Sequence, residues 1–150
     1  MSSPDAVVRR WFEEVWNKRR ESAIDEMMPA DAITHGLGPQ PLRGNTAFKP
    51  FFHSFSQAFT DLKVDVLRTV TQGDIVATHI HATGRHSGPG MGTPTNKVVA
   101  FDGMIIARVR GEQIVEGWNC IDFLTMYQQM GVVAANPGAA AGPAAAGAAG

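Results

Sequence analysis

Residues 98–122, VVAFDGMIIARVRGEQIVEGWNCID, decide the fold of this chain. Both halves are rich in β-branched residues, and the Arg110-Gly111-Glu112 segment between them is typical of a tight turn. The stretch therefore predicts two antiparallel strands, from Val98 to Val109 and from Gln113 to Asp122. Because successive side chains of a strand point to opposite faces, each strand is expected to present one face to a core.

Two more strands are predicted upstream of this pair. Leu62 to Leu67 alternates apolar and polar residues with a period of two, and Asp74 to Thr83 is again β-branched. Gly84 to Thr95 contains four Gly and two Pro residues, which predicts a long loop that is either a lid or an ordinary connection. The four strands together form a predicted antiparallel meander.

Helical patterns occupy the chain before residue 60 and again after residue 122. Ser3-Pro4-Asp5 is a typical helix start, and apolar residues then recur at helical spacing as far as Val15. Short helices are predicted at Glu21 to Met28 and at Phe123 to Met130, and a further helix carries an aromatic stripe: Phe48, Phe51, Phe52, Phe55 and Phe59. Segregated helices and strands indicate an α+β fold. We expect a cone-shaped α+β barrel, in which a curved, mostly antiparallel sheet wraps around the N-terminal helices and encloses an apolar pocket.

Composition limits the possible partners. The chain has 150 residues and a formal net charge of −1, which gives no overall field for nucleic acid or an anionic membrane. Its single cysteine excludes an internal disulfide framework and a Cys-rich zinc site. No stretch approaches twenty apolar residues, so a cytoplasmic domain without a membrane or nucleic-acid partner is predicted. Residues 134–150 hold only Ala, Gly, Pro and Asn, and we expect one domain over residues 1–133 followed by a disordered tail.

Several short motifs occur in an order that resembles a known family. Ala58-Phe59-Thr60-Asp61-Leu62 ends the aromatic helix, and Thr83-Gly84-Arg85-His86-Ser87-Gly88 leads into the loop. Gly111-Glu112-Gln113-Ile114-Val115-Glu116-Gly117-Trp118, Asp122 and Tyr127-Gln128-Gln129-Met130-Gly131 complete the series. The pattern resembles the SnoaL-like polyketide and ester cyclases of the nuclear transport factor 2-like superfamily. The resemblance implies the cone-shaped fold, an apolar pocket and chemistry without a cofactor.

The same resemblance implies acid/base catalysis. The founding cyclases close a polyketide ring by an intramolecular aldol reaction, and their Asp at the end of the last long strand matches Asp122. Limonene epoxide hydrolase, on a similar fold, also uses an Asp in that place and adds an Arg and an Asp two residues apart on an earlier strand. This chain carries His79 and His81 there instead. An epoxide hydrolase or isomerase type of reaction is therefore an alternative to cyclisation.

Asp122 has two interpretations. Its neighbours Trp118, Cys120 and Phe123 are largely apolar, and burial among them would raise the pKa of the carboxyl group from about 3.9 towards that of a useful base. Alternatively, Asp122 only caps the helix that starts at Phe123. On a strand of strict alternation it would share one face with Ile114, Glu116, Trp118 and Cys120.

His79 and His81 point the same way on a regular strand. Two imidazoles on one face can transfer protons near neutral pH, and with a third ligand they could bind a metal ion. Three alternatives follow: the pair lines the pocket, faces solvent, or forms half of a metal site. We predict catalytic histidines with no bound metal.

The remaining candidates complete a predicted site. Arg108 could hold an enolate oxygen by charge-assisted hydrogen bonds or form an ion pair on the outer face of the sheet. His35, where a short strand meets a Gly/Pro loop, is expected at the mouth of the pocket. The predicted catalytic set is Asp122, His79, His81 and Arg108, and the predicted substrate-binding set is His35, Trp118, Met104, Phe52 and Cys120.

Two functional hypotheses follow from these patterns. The first is a cofactor-free enzyme that performs aldol-type cyclisation or related enolate chemistry on a small hydrophobic, carbonyl-containing ligand. The second is a non-catalytic module that binds a small hydrophobe. Because exposed apolar sheet faces of this architecture usually pack against a second copy, we also expect a homodimer.

Overall fold

The computed structural model describes residues 1–134, and it begins with a helix that changes type part-way along. Helix α1 (Pro4–Trp11) is capped by Ser3, whose hydroxyl accepts a hydrogen bond from the Ala6 N–H at 3.2 Å. It continues as a π-helical segment, Phe12–Asn17, after which the Lys18 N–H donates to the Glu13 carbonyl at 2.8 Å. Phe12 and Trp16 are both buried in this wider turn.

Three further helices follow the predicted order. They are α2 (Ser22–Met27), α3 (Gly44–Ala58) and α4 (Phe123–Met130). α3 buries its aromatic stripe, with Phe48, Phe52 and Phe55 all in the core. α4 ends at Gly131 with a φ of +82°, a left-handed conformation that glycine adopts without steric cost.

A single curved sheet packs against these helices. Its six strands are β1 (Ile33–His35), β2 (Leu42–Arg43), β3 (Lys63–Gln72), β4 (Ile75–Arg85), β5 (Val98–Arg110) and β6 (Gln113–Ile121). They lie in the order β2-β1-β6-β5-β4-β3. β1 runs parallel to β6, and the other neighbouring pairs within residues 1–134 are antiparallel. The predicted α+β fold, with a curved and mostly antiparallel sheet around N-terminal helices, is therefore confirmed.

The sheet has an inner face, which packs on the helices, and an outer face, which is turned away from them. On β4 the inner residues Val76, Thr78, Ile80 and Ala82 are buried, whereas the residues between them are more exposed. β5 alternates in the same way along its whole length. The hydrophobic core thus lies between the inner face and the helices, as the strand alternation requires.

β6 contains a bulge that breaks this alternation. Arg108 pairs with Glu116, but its neighbour Val109 pairs with Ile114, so that Val115 is an extra residue. Ile114 therefore lies opposite an inner residue and Glu116 opposite an outer one. The prediction that Ile114 and Glu116 share a face is wrong because it assumed strict alternation.

The Gly/Pro-rich segment between β4 and β5 folds back onto the C-terminal end of α3. The N–H groups of Ser87 and Gly88 donate to the Ala58 carbonyl at 3.2 and 3.1 Å. A side chain at residue 88 would collide with the helix, since an added Cβ would lie 2.0 Å from the Gln57 carbonyl oxygen. Close backbone approach therefore explains the glycine at this position.

The predicted tail, residues 134–150, lies outside the described residues except for Ala134. Within the described part of the chain, no helix is both long enough and apolar enough to cross a membrane.

Candidate functional site

An apolar cavity of about 110 Å³ lies between the helices and the inner face of the sheet. The N-terminal helix and α3 form one wall with large aromatic side chains: Trp11, Phe12, Trp16, Phe48, Phe51 and Phe55. Inner residues of β4 and β5 form the opposite wall: Ile80, Ala82, Phe101, Ile105 and Ala107. A concave site with such walls suits an apolar ligand.

Polar side chains border the cavity where β1 lies beside β6. Among residues 1–134, the lining residues that carry a hydroxyl, carboxyl or amide group are Thr34, Glu116 and Asn119. The parallel pairing of the two strands puts Thr34 next to Gly117. The Asn119 side chain crosses between the strands, and its Nδ2 donates to the His35 carbonyl at 2.9 Å.

Glu116 supplies the acidic group of this edge, and it is paired with a histidine. Nε2 of His35 lies 2.8 Å from Oε2 of Glu116, and the His35 ring stacks on Trp118 with centroids 5.5 Å apart and planes 10° from parallel. The His35 side chain is 32 % exposed and that of Glu116 28 %, so the pair is partly accessible to solvent. Glu116 and the next residue, Gly117, are both among the residues that line the cavity.

This arrangement can transfer protons. A carboxylate at the edge of an apolar cavity can act as a general base towards a substrate held there. The hydrogen bond from His35 orients the carboxylate through Oε2, and Oε1 has no hydrogen-bond partner among the described residues. Trp118 restrains the imidazole by stacking on it.

His79 and His81 lie on the outer face and not in the cavity, so the prediction that they line the pocket is wrong. Strand alternation gives the inner positions of β4 to their apolar neighbours. Both histidines bind Asp102 of β5: His79 Nε2 lies 2.7 Å from Oδ2 and His81 Nδ1 lies 2.6 Å from Oδ1. These hydrogen bonds, from His81 and then His79, hold the pKa of Asp102 below its usual value. No group of three or more possible ligands in residues 1–134 is arranged to hold a metal ion.

Four other predicted site residues also occupy the outer face. Arg108 forms an ion pair with Asp74, with Nη1 3.1 Å from Oδ2, and Met104 is 55 % exposed. Met104, Trp118 and Cys120 border an open groove of about 550 Å³ together with His79. The structure therefore brings several predicted residues together, but on the side of the sheet opposite to the cavity. The placement of Met104, Trp118 and Cys120 in the apolar pocket is wrong, because Met104 is an outer residue of β5 and Trp118 and Cys120 pair with outer residues of that strand.

Asp122 caps α4. β6 ends at Ile121, and the exposed Asp122 carboxylate accepts hydrogen bonds from the Thr125 hydroxyl at 2.6 Å and the Thr125 N–H at 3.0 Å. These two bonds lower the pKa of Asp122 from its usual 3.8, whereas the sequence predicted a rise. The carboxyl group is not buried among its apolar neighbours, so the desolvation on which that prediction rested is small.

Two predicted binding residues remain to be placed. Phe52 is buried and packs on Trp16, with ring centroids 5.5 Å apart, but it does not line the cavity as predicted. It lies on the side of α3 next to its lining residues Phe51 and Phe55. His35 is hydrogen-bonded to the lining residue Glu116, although its own side chain is not part of the cavity wall.

The polar residues of the cavity edge were not singled out from the sequence. Asn119 pairs with Ile105, so extending the alternation of β5 across the tight turn would have put it on the inner face. Glu116 gives no comparable signal, because its pairing with Arg108 puts it opposite an outer residue. The pairing of β1 with β6, which brings Thr34 and His35 to this edge, is also not marked by any local pattern.

Comparison with protein families finds a match to one model. The model described as SnoaL-like polyketide cyclase matches residues 6–130. A search of curated proteins by sequence gave no significant match.

Many solved structures are similar to this one. A putative SnoaL-like polyketide cyclase from a Jannaschia species is 22 % identical with a TM-score of 0.77, and the match covers 85 % of this chain and 90 % of that one. IdmH, a putative polyketide cyclase from Streptomyces antibioticus, is 28 % identical with a TM-score of 0.76, over 87 % of this chain and 100 % of IdmH. A hypothetical protein from Catenulispora acidiphila with a ketosteroid isomerase-like fold is 18 % identical with a TM-score of 0.69, over 84 % of this chain and 92 % of that one.

Proposed function

The chain belongs to the SnoaL-like polyketide cyclase family, whose model matches residues 6–130, and we propose that it is a small-molecule enzyme with cyclase-type acid/base chemistry. The proposed substrate is a small hydrophobic carbonyl compound whose apolar part fills the cavity. One observation carries the proposal: Glu116 is the acidic residue among those that line the apolar cavity, and its carboxylate is held by His35 at 2.8 Å.

In the proposed reaction Glu116 is the general base. Its carboxylate removes a proton from the carbon next to a carbonyl group, and the resulting enolate carbon attacks a second carbonyl carbon of the same molecule. The new carbon–carbon bond leaves an alkoxide, which takes the proton back from Glu116. His35 positions the carboxylate throughout, and the step uses only side chains of the protein.

The outer-face residues take no part in this proposed step. Asp122 is engaged by Thr125, His79 and His81 by Asp102, and Arg108 by Asp74. Each of these groups lies away from the cavity, and a base must come within about 3 Å of the proton that it removes. Their substitution is therefore the natural control for substitution of Glu116.

A second candidate function is non-catalytic binding of a small hydrophobe. It is favoured by the composition of the cavity wall, in which Glu116 is the titratable side chain among the lining residues of the described chain. An apolar site with few polar groups can serve binding alone. The two candidates differ in what they require of the Glu116 carboxylate.

Proton exchange in a model ketone distinguishes the two functions. Acetophenone has one ring, one carbonyl and three exchangeable methyl protons, and their replacement by deuterium in heavy water is followed by NMR. We expect the wild-type protein to catalyse this exchange and Glu116→Gln to lose about 100-fold or more of the rate, because the amide keeps the shape but cannot act as a base. The His79→Gln variant serves as the matched control and should retain the wild-type rate. Binding of acetophenone without catalysed exchange in the wild-type protein would support the non-catalytic function instead.

We further propose that a second copy of this chain covers the outer face. Exposed apolar side chains lie near the middle of that face: Val70, Met104, Ile106 and Trp118. Contiguous exposed apolar surface surrounded by polar groups is typical of a protein interface. Arg68 and Asp102 give the face charges of both signs, so that two copies can be complementary to each other across a two-fold axis. Sedimentation analysis should then give twice the mass of one chain.

A further inference from the structure

We propose that the substrate's carbonyl oxygen occupies the space above Gly117, and that the substrate is a single-ring or similarly small compound and not a polycyclic one. The inference rests on the proposed function only in taking the cavity as the ligand site. It assigns Gly117 as the residue that determines specificity and Asn119 as the hydrogen-bond donor to the carbonyl group.

The backbone conformation at residue 117 does not require glycine, and the missing side chain leaves open space. Its φ is not in the left-handed region that favours glycine, unlike that of Gly36 at +89°. A Cβ added at Gly117 would have as its nearest neighbour the Nδ2 atom of Asn119, at 3.9 Å. At Gly36 an added Cβ would instead lie 2.0 Å from the Asn119 carbonyl oxygen, so close backbone approach explains that glycine. The volume that a side chain would fill at residue 117 is therefore part of the cavity.

Hydrogen-bond donors border this open space. The Asn119 amide group has two N–H bonds, and one of them is used by the His35 carbonyl at 2.9 Å. The other is available to an oxygen atom placed above Gly117, next to Nδ2. Thr34 pairs with Gly117 across β1 and β6, and its hydroxyl has no hydrogen-bond partner within residues 1–134. A carbonyl oxygen is an acceptor that such neutral donors fit.

The size of the cavity limits the rest of the ligand. An engineered protein cavity of about 150 Å³ holds benzene, and the cavity here measures about 110 Å³. The aromatic side chains of its wall pack against one another: the ring centroids of Trp11 and Phe48 are 5.4 Å apart, and those of Trp16 and Phe55 are 6.1 Å apart. A second fused ring would have to separate these contacts. One ring or a short branched chain is therefore the upper limit for the apolar group in the cavity.

A matched series of methyl aryl ketones tests the size limit. Acetophenone, 2-acetylnaphthalene and 2-acetylanthracene carry the same carbonyl group on one, two and three rings, and equilibrium dialysis with ultraviolet detection gives their affinities. Binding in the cavity is defined as the part that is lost in Gly117→Val. We expect acetophenone to lose at least tenfold in affinity in this variant, and the larger ketones to show no Gly117-dependent binding. Binding of 2-acetylanthracene that equals that of acetophenone and depends on Gly117 would overturn the size limit.

Two further variants test the location of the carbonyl group. Gly117→Ala adds one methyl group to the cavity, and Gly38→Ala adds one to a loop position that has no atom within 4 Å of the new Cβ. Acetophenone affinity should fall several-fold in the first variant and stay unchanged in the second. In the wild-type protein acetophenone should bind more tightly than α-methylstyrene, in which CH₂ replaces the carbonyl oxygen, and Asn119→Leu should abolish that difference. Equal affinities in Gly117→Ala and wild type, or a difference that persists in Asn119→Leu, would overturn the assignment.

Failure of this inference can be distinguished from failure of the proposed function. Glu116→Gln removes the base but leaves Gly117 and Asn119 in place, so acetophenone affinity should change less than threefold. If the Gly117 and Asn119 effects hold while the wild-type protein catalyses no proton exchange, the ligand site stands and the enzymatic function fails. If exchange is catalysed but is indifferent to both residues, the enzymatic function stands and this inference fails.

Discussion

The inner and outer faces of the sheet are built from the same strands but differ in chemistry. Ile80 and Ala82 face the cavity, whereas His79 and His81, their neighbours in sequence, face away from it and bind Asp102. Charged and imidazole side chains are tolerated on the outer face because water and ion partners remain close. The presence of several titratable residues on one face of a strand therefore does not locate an active site. In this protein Glu116, the acidic residue among those that line the cavity, lies next to a bulge in β6.

The adjacent residues Ile105 and Ile106 test the difference between the faces most directly. Ile105 is 7 % exposed on the inner face, and Ile106 is 46 % exposed on the outer face. Ile105→Asp puts an unpaired carboxylate into the core and should lower the free energy of unfolding by about 3–5 kcal/mol. Ile106→Asp should lower it by less than about 1 kcal/mol. Chemical denaturation followed by fluorescence measures both changes.

The same pair of variants also tests the proposed dimer. Ile106→Asp puts a charge into the apolar middle of the outer face, and sedimentation analysis should show it as a monomer that keeps the fold. The more conservative Ile106→Val variant should remain dimeric. A dimer that survives Ile106→Asp with unchanged affinity would mean that the second copy binds elsewhere.

The next effect concerns the end of β6, where the sequence predicted a buried base and the structure has a helix cap. Asp122→Ala removes the acceptor for the Thr125 N–H and should lower the free energy of unfolding by about 1 kcal/mol. Asp122→Ser retains an acceptor and should recover most of that loss. Neither variant should change the rate of proton exchange in acetophenone. A 100-fold lower rate of proton exchange in a folded Asp122→Ser protein would mean that Asp122 is the base.

Much of the fold follows from local sequence patterns. The helical spacing before residue 60, the period of two after Leu62 and the tight turn at Arg110-Gly111-Glu112 predict elements that the structure contains. These patterns are reliable because each reports a periodicity of the backbone itself. The division of β4 into two sets of residues is equally local: Val76, Thr78, Ile80 and Ala82 lie on one side, and the histidines lie on the other.

The site could not be predicted in the same way, because it depends on contacts between distant segments. His35 and Glu116 are 81 residues apart and meet only because β1 pairs with β6. Which face of β4 packs on the helices is also a property of the whole fold, since both faces contain β-branched or small residues. The bulge between Ile114 and Glu116 adds one residue to one strand, and because of that insertion Ile114 and Glu116 pair with residues of opposite faces. The resemblance to a family conveyed the fold but placed the acid at Asp122.

A smaller effect is expected at Gly117, on the inner face. Glycine within a strand destabilises a protein relative to alanine by about 0.5–1 kcal/mol, and the added Cβ meets no atom closer than 3.9 Å. Gly117→Ala should therefore raise the free energy of unfolding by about 0.5 kcal/mol while it weakens acetophenone binding. Gly36→Ala is the contrasting control, because its Cβ would lie 2.0 Å from a backbone oxygen and should destabilise the protein. A Gly117→Ala variant that is less stable than wild type would show that this space is needed for packing.

The smallest effect is expected on the outer face, where Asp102 is exposed. Its pKa is lowered from 3.8 in the folded protein by the hydrogen bonds of His81 and His79. A carboxyl group whose pKa is depressed by folding stabilises the protein above its unfolded pKa, and that stabilisation disappears as the pH falls through the folded pKa. The stability advantage of wild type over Asp102→Asn should therefore be present at pH 5 and decline below about pH 3.8, as measured by denaturation at each pH.

The histidines are the cause of this pH dependence, and a double-mutant cycle measures how much of the change in stability depends on them. In a His79→Leu/His81→Leu background, Asp102→Asn should produce a smaller change in stability between pH 5 and pH 2.5, because the carboxylate has lost the two donors that lower its pKa. Proton exchange in acetophenone should remain at the wild-type rate in every variant of the cycle, since none of them touches the cavity. An equal pH dependence in both backgrounds would mean that the imidazole contacts do not set the ionisation of Asp102. A loss of exchange in these variants would mean that the two faces of the sheet are not separate in function.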